Sequence, residues 1–403
     1  MIPEDSLREI IKSQSKNLDS YRFGIPREEA NIDYRLPHAL IISGIRRAGK
    51  STLLHQLSKR IINFHYLNFE DPRLTKFGLN DFEKLDEIFI KEYGDYEYYL
   101  FDEIQKVETW ELFVRSRLDK EKKFIITGSN ASLLSRELGM SLTGRHVDLE
   151  LFPFSFKEYL LFKNKKAELL TFKEYLTNGG FPEYVKYNNS EILQRLFTDI
   201  IQRDIVARYK LREPKILEQM AVYLLTNIGR EFSYNNLKEI FNLGSVSTVT
   251  AYISYFEDSY LLFSVPKFSF SLKKQLVNPR KIYAIDNGLA KVNAVSFSSD
   301  NGRLLENTVF LGLRRKFKNI FYFHGKYECD FLVRDRDKII TAIQVCYNLN
   351  EDNKEREVKG LIDALNEVEL NEGLILTYDQ EDIFKIDKKK IIVKPVWKWL
   401  MEQ

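Results

Sequence analysis

The eight residues Gly44-Ile45-Arg46-Arg47-Ala48-Gly49-Lys50-Ser51 constrain this chain more than any other stretch of it. They satisfy G-x-x-x-x-G-K-[ST] and lie between a short apolar run, Ala39–Ser43, and a helix expected over about Lys50–Arg60. Strand, loop and helix in that order turn backbone N–H groups inward around phosphate oxygens, and the helix N-terminus adds its partial positive charge. The pattern assigns Gly44, Arg47, Ala48, Gly49, Lys50, Ser51 and Thr52 to a phosphate-binding loop. Lys50 then reaches the β- and γ-phosphates, and Ser51 offers its hydroxyl to Mg2+.

A second motif, Tyr98-Tyr99-Leu100-Phe101-Asp102-Glu103, is a largely apolar strand ending in two carboxylates. A Mg2+–nucleotide site needs an acid at such a strand end, which Asp102 supplies, and the adjacent Glu103 can orient or deprotonate an attacking water. A third run, Phe124-Ile125-Ile126-Thr127-Gly128-Ser129-Asn130, ends in polar residues. Both Ser129 and Asn130 are placed to sense a γ-phosphate, and the sequence does not choose between them. Arg145, in Leu142-Thr143-Gly144-Arg145, is the candidate catalytic arginine, acting in cis or from a neighbouring subunit.

At 403 residues the chain is too long for one ordinary core, and about two to three domains are expected. Its 44% hydrophobic content argues against wholesale disorder. Sixty-one Lys and Arg face 58 acids, so any nucleic-acid contact must come from a local patch. No apolar run approaches the roughly 20 residues of a membrane helix, and the first residues lack an apolar signal core, so a cytoplasmic location is expected. Two cysteines, Cys329 and Cys346, and five scattered histidines exclude a disulfide scaffold and a zinc finger. Short apolar strands alternating with helices up to about residue 152 indicate a parallel sheet with crossovers.

Five motifs occur in order: GIRRAGKSTLL, YYLFDEIQKVETW, FIITGSNASLL, the LTGR that precedes LELFPFSFKEYL, and NGGFPEYV. In this combination the chain resembles the prokaryotic AAA-type P-loop ATPases that carry a C-terminal, nuclease-like domain of unknown function. The resemblance implies an α/β P-loop NTPase sheet over 1–152 and a helical lid over 153–212. It further implies a winged helix-turn-helix over 213–285 and a restriction-endonuclease-like α/β domain over 286–403. It also implies ATP and Mg2+ as ligands, and ATP hydrolysis that moves the lid and C-terminal domains. A homo-oligomeric ring is possible by family analogy, although Arg145 alone does not establish one.

The winged segment carries no Lys or Arg between Leu243 and Pro266, so its third helix is not built to read bases. Its wing does carry Lys267, Lys273, Lys274, Arg280 and Lys281, which suit a phosphate backbone held without sequence preference. In the C-terminal domain Glu306 and Asp330 match two acids of the PD-(D/E)XK pattern. The third position reads Gln344-Val345-Cys346 where Glu and Lys are expected, so the domain is expected to be inactive. Lys354 or Lys359 on the following helix is the one route by which a lysine returns. Period-two alternation places Cys329 and Cys346 on opposite faces and predicts no bond between them. An ATPase is thus the leading expectation. A slow nucleotide-gated switch holding DNA or a protein partner is the second, and an active metal-dependent nuclease the third.

Overall fold

Five strands organise the first part of the chain, and the three inner ones are buried on both faces. The five are β1 (Ala39–Ser43), β2 (Phe64–Asn68), β3 (Tyr98–Asp102), β4 (Lys123–Gly128) and β5 (His146–Glu150). All neighbours pair in parallel, in the order β2-β3-β4-β1-β5. Parallel strands need crossovers, and these place helices on both faces, which is why β1 and β3 lack polar alternation. Leu40, Ile42 and Leu100 pack with Leu53, Leu54 and Leu57 of α2 (Lys50–Ser58; α1 is Glu4–Asp19). Ile41, Tyr99 and Phe101 point the other way, into a cluster with α1, α3 (Asp81–Tyr93) and α4 (Trp110–Leu118). Helix α3 and strand β5 are not foreseen above. Phe82, Leu85, Ile88 and Phe89 nevertheless give α3 a buried stripe at helical spacing.

The computed structural model describes residues 1–19, 24–129, 144–295 and 300–403. These divide into two compact units, Met1–Phe152 and Pro153–Gln403. The second unit opens with helices between Phe156 and Tyr209, including a π-helical stretch at Ile200–Val206. Helices Pro214–Thr226, Tyr234–Ile240 and Val246–Asp258 follow, with a three-stranded antiparallel sheet. Its strands β6 (Glu231–Phe232), β7 (Leu262–Pro266) and β8 (Arg280–Ala284) run in the order β6-β8-β7. Between β7 and β8, where an extended wing is expected, Leu272–Val277 forms a helix with no buried residue. Leu, Lys and Gln favour helix there, and the Gln275 N–H bonds back to the Ser271 carbonyl at 3.1 Å.

The unit ends in a six-stranded mixed sheet. It comprises β9 (Asn319–His324), β10 (Glu328–Asp335), β11 (Lys338–Val345), β12 (Glu372–Thr377), β13 (Asp382–Ile386) and β14 (Lys389–Pro395), ordered β13-β14-β12-β11-β10-β9. Cys329 and Cys346 are both free and buried, but they lie in one apolar cluster, not on opposite faces. Regular alternation fails because a register shift interrupts β10 after Cys329 and β11 ends at Val345, before Cys346.

The NGGFPE turn has a structural explanation. A Cβ on Gly180 would lie 2.2 Å from the Phe154 carbonyl oxygen, so only glycine fits. The Gly180 N–H donates at 2.6 Å to Asp286, whose other oxygen caps Leu289 at 2.9 Å. No helix among the described residues is long and apolar enough to cross a membrane.

Candidate functional site

The loop after β1 folds tightly because Gly44 adopts φ +148° and approaches the backbone of Leu151. A Cβ on Gly44 would sit 2.1 Å from the Leu151 carbonyl oxygen. The loop therefore closes against the strand β5 edge, where the Leu151 N–H donates to the Ser43 carbonyl at 2.7 Å. Lys50, the first residue of α2, is 4% exposed, and its ammonium donates to the Gly44 and Ile45 carbonyls at 3.1 and 3.2 Å. Ala48 is buried and Ser51 and Thr52 are half-buried at the start of the same helix. Arg47 is exposed with φ +64°, and the Arg46 guanidinium lies 3.8 Å from Glu70.

Arg27 belongs to this loop although no motif announces it. Its buried guanidinium donates at 2.7 Å to the Ala48 carbonyl and at 2.7 Å to the Phe152 carbonyl. One side chain thus fixes the inner turn of the loop to the last residue of the unit. A buried guanidinium holds such a position only when its donors are answered, which these carbonyls do.

The two carboxylates stand at the carboxyl end of β3, with β4 between them and the loop. Thr127 of β4 organises both. Its hydroxyl donates to Asp102 Oδ1 and accepts the Glu103 N–H at 2.9 Å. Glu103 sits at φ +53°, an uncommon conformation for a residue with a Cβ, which turns its side chain off the strand axis. Its carboxylate accepts from the Gln105 amide and lies 3.8 Å from the Lys50 ammonium. Ser129 is buried and receives the Gln105 amide at 3.3 Å. Asn130 lies outside the described residues.

Asp102 suits a divalent cation. It is 1% exposed, and its Oδ2 is buried without a hydrogen-bond partner. Burial pushes its carboxyl up to about 6, with the Thr127 and Ser51 hydroxyls pulling the other way. An orphaned carboxylate oxygen beside a serine hydroxyl is a hard-oxygen pair that Mg2+ prefers. A cavity of about 520 Å³ opens beside Ser51 and Asp102, bordered by Asn68, Glu70 and Asp71.

Arg145 lies elsewhere. It immediately precedes β5 at the amino-terminal edge of the sheet, where its carbonyl accepts from Ala39, the first residue of β1. Its guanidinium pairs with Asp119 at 2.6 Å. The loop follows the other end of β1, a five-residue strand of about 16 Å. Arg145 therefore does not serve the nucleotide site of its own chain, because the length of a strand separates them.

In the second unit the expected basic patch contracts. Lys273 and Lys274 are exposed and Lys267 half-buried, but Lys281 is 3% exposed and bonded to carboxylates, which removes it from any DNA surface. Arg280 is half-buried and donates to the Ser264 hydroxyl at 3.2 Å. Glu306 and Asp330 do come together, around that same Lys281, and Gln344 accepts the Asp330 N–H at 3.2 Å. Cys346 instead joins the apolar cluster. Neither helix lysine reaches the acids: Lys354 lies over the Phe384 ring at 4.9 Å, and Lys359 pairs with Glu355.

Residues 37–160 match the AAA domain family, residues 169–300 a domain of unknown function (DUF8612), and residues 301–399 a domain of unknown function (DUF4143). The chain is 39% identical over 391 residues to Uncharacterized protein MJ1544 of Methanocaldococcus jannaschii, covering 89% of this chain and 87% of that one. A Haemophilus influenzae protein is 32% identical over 341 residues, covering 79% and 84%. Among solved structures, the Walker-type ATPase PABY2304 of Pyrococcus abyssi aligns with a TM-score of 0.43 at 16% identity, covering 66% of this chain and 93% of that one.

Two expectations follow. A carboxyl raised to about 6 in the folded chain destabilises the fold above that pH, and the burden lifts as pH falls towards the ordinary 3.8. Asp102→Asn should therefore raise stability by roughly 1–3 kcal/mol at pH 8 and by nothing near pH 3.5, while abolishing stabilisation by Mg2+–nucleotide. Thermal melts across pH check both halves, and a fall in stability at pH 8 contradicts the assignment. Arg27→Ala removes two guanidinium hydrogen bonds, to the Ala48 and Phe152 carbonyls, and should cost about 2–4 kcal/mol in urea unfolding. A cost below ~0.5 kcal/mol would show that the loop does not depend on Arg27.

Proposed function

We propose that this chain, which belongs to the same family as Uncharacterized protein MJ1544 of Methanocaldococcus jannaschii and matches the AAA domain over residues 37–160, binds ATP with Mg2+ and hydrolyses it at the carboxyl edge of its parallel sheet. The observation that carries the proposal is the convergence of Lys50, Ser51, Asp102 and Glu103 on one edge, with Thr127 hydrogen-bonded to both acids. Ser51 and Asp102 would hold Mg2+, which when bound supplies charge neutralisation on the phosphates. Lys50 exchanges its loop carbonyls for phosphate oxygens, with the Gly44–Gly49 backbone lining the rest of the cradle. Glu103 orients the attacking water and accepts its proton.

In this reading Arg145 acts only from a neighbouring copy in a homo-oligomer, since its own nucleotide lies a strand length away. The division into a core (1–152), helical lid (153–212), winged helix (213–285) and nuclease-like domain (286–403) is part of the same proposal. Nucleotide state would move the later segments.

One observation favours a slower device as the second reading. The Glu103 carboxylate is already engaged by Gln105 and faces Lys50, so it must be released before it can serve a water. A nucleotide-gated switch would then hold a protein partner, or DNA without sequence preference through Lys267, Lys273 and Lys274.

Steady-state ATP turnover separates the readings. Lys50→Ala should lose at least about 100-fold in turnover, and Glu103→Gln should keep ATP binding while losing a similar factor. Hydrolysis by Lys50→Ala equal to that of the wild type would overturn the proposal. Wild-type turnover as slow as that of Glu103→Gln, with binding intact, would leave the switch.

A further inference from the structure

Where β8, β10 and the helix Asn301–Arg314 meet, four ionisable side chains gather that the nucleotide site does not use. The Lys281 ammonium donates to Glu306 Oε1 at 3.0 Å and to Asp330 Oδ1 at 2.8 Å, and Glu328 Oε1 lies 2.6 Å away. Three carboxylates at hydrogen-bond distance answer all three donors of an ammonium. The Lys281, Glu306 and Asp330 side chains are 3%, 13% and 8% exposed, and Glu328 forms the rim at 41%.

The surrounding groups fit an ammonium at this point. The Tyr283 hydroxyl donates to Glu306 at 2.7 Å, and the Val345 N–H donates to Asp330 Oδ2 at 2.9 Å, which spreads the excess negative charge. Gln344 adds none. It accepts the Asp330 N–H at 3.2 Å and donates to Glu357 at 2.6 Å, so a neutral amide sits where another carboxylate would face only one positive charge. Burial works against a charged lysine, but Asp330 and Glu306 outweigh it and hold Lys281 protonated well above its ordinary range. Lys281 is also fixed from behind. It is on the central strand of its sheet, in register with Glu231 on one side and Val265 on the other.

A nuclease of the PD-(D/E)XK type would place a divalent metal against Glu306 and Asp330. The residues present do not suit that metal. Among the described residues no group of three or more His, Cys, Asp or Glu side chains is spaced to hold one. The Glu306 and Asp330 oxygens are instead arranged around Nζ at 3.0 and 2.8 Å, longer than the roughly 2.0–2.6 Å of Mg2+ or Ca2+ ligation.

We propose that Lys281 is the resident cation of this acidic centre, locking β8 to β10 and the Asn301–Arg314 helix and occupying the position a nuclease metal would need. The centre is then a structural lock and does not cut nucleic acid. This inference goes beyond the ATPase reading and stands whether or not ATP is hydrolysed.

The test compares full-length wild type, Asp330→Asn, Lys281→Met and the double variant by thermal melting, in EDTA and in Mn2+. DNA cleavage is assayed alongside in Mg2+ and in Mn2+. A lock predicts that each single variant melts about 5–10 °C lower, equally in EDTA and in Mn2+. It also predicts that the double variant recovers part of the loss, because no charge is left buried alone. The proposal is overturned if Mn2+ stabilises the wild type and Asp330→Asn abolishes that gain. Metal-dependent cleavage lost in Asp330→Asn or Lys281→Met overturns it equally, as does an Asp330→Asn melt unchanged from wild type. If Lys281→Met does not fold, wild type and Asp330→Asn under the two conditions decide the question alone.

Discussion

The buried carboxylate Asp102 and the Thr127 hydroxyl that holds it set the terms for the first unit. A charge with almost no exposed surface is costly, and only hydrogen bonds or a cation can offset that cost. The Thr127 hydroxyl bonds one oxygen, and burial still pushes the carboxyl up to about 6 against the pull of Thr127, Ser51 and Lys50. Because the same hydroxyl accepts the Glu103 N–H, it also sets the start of the turn that aims the second acid. The strand order makes this arrangement available. With β4 between β1 and β3, the tip of one strand lies between the loop and the acids.

The second unit faces the same problem and solves it differently. Glu306 and Asp330 are buried acids too, but their positive charge comes from within the chain, through Lys281. In the first unit the proposed Mg2+ would supply that charge from outside the chain. In the second it is built in, which makes the centre inert and firm. Asp286 shows a third solution, in which the Gly180 and Leu289 N–H groups cap a buried carboxylate and the Arg315 charge adds less than they do.

What the sequence made legible was what depends on near neighbours. The loop from Gly44 to Ser51 needs only its own glycines, lysine and flanking elements, and Asp102–Glu103 announce themselves at the end of an apolar strand. Arg27 was hidden because its partners lie 21 and 125 residues away, and nothing local marks a buried arginine. Thr127 reads as an ordinary β-branched strand residue, so attention falls on the more obviously polar Ser129 and Asn130. Lys281 misleads in the opposite sense. It stands in a basic stretch that looks solvated, and only the pairing of β8 turns it inward towards acids from two later elements. Arg145 carries a recognisable motif, but its place at the amino-terminal edge is set by β5, a strand not foreseen from the sequence.

If one hydroxyl coordinates both acids of the nucleotide site, its loss should impair turnover more than binding. The most direct measurement is therefore steady-state ATP hydrolysis and ATP affinity for Thr127→Val and Thr127→Ser. The account predicts that valine, which keeps the shape and removes the hydroxyl, lowers kcat at least ~10-fold with Kd changed less than ~3-fold, and that serine restores most of the rate. A valine variant that turns over ATP as fast as the wild type would contradict it.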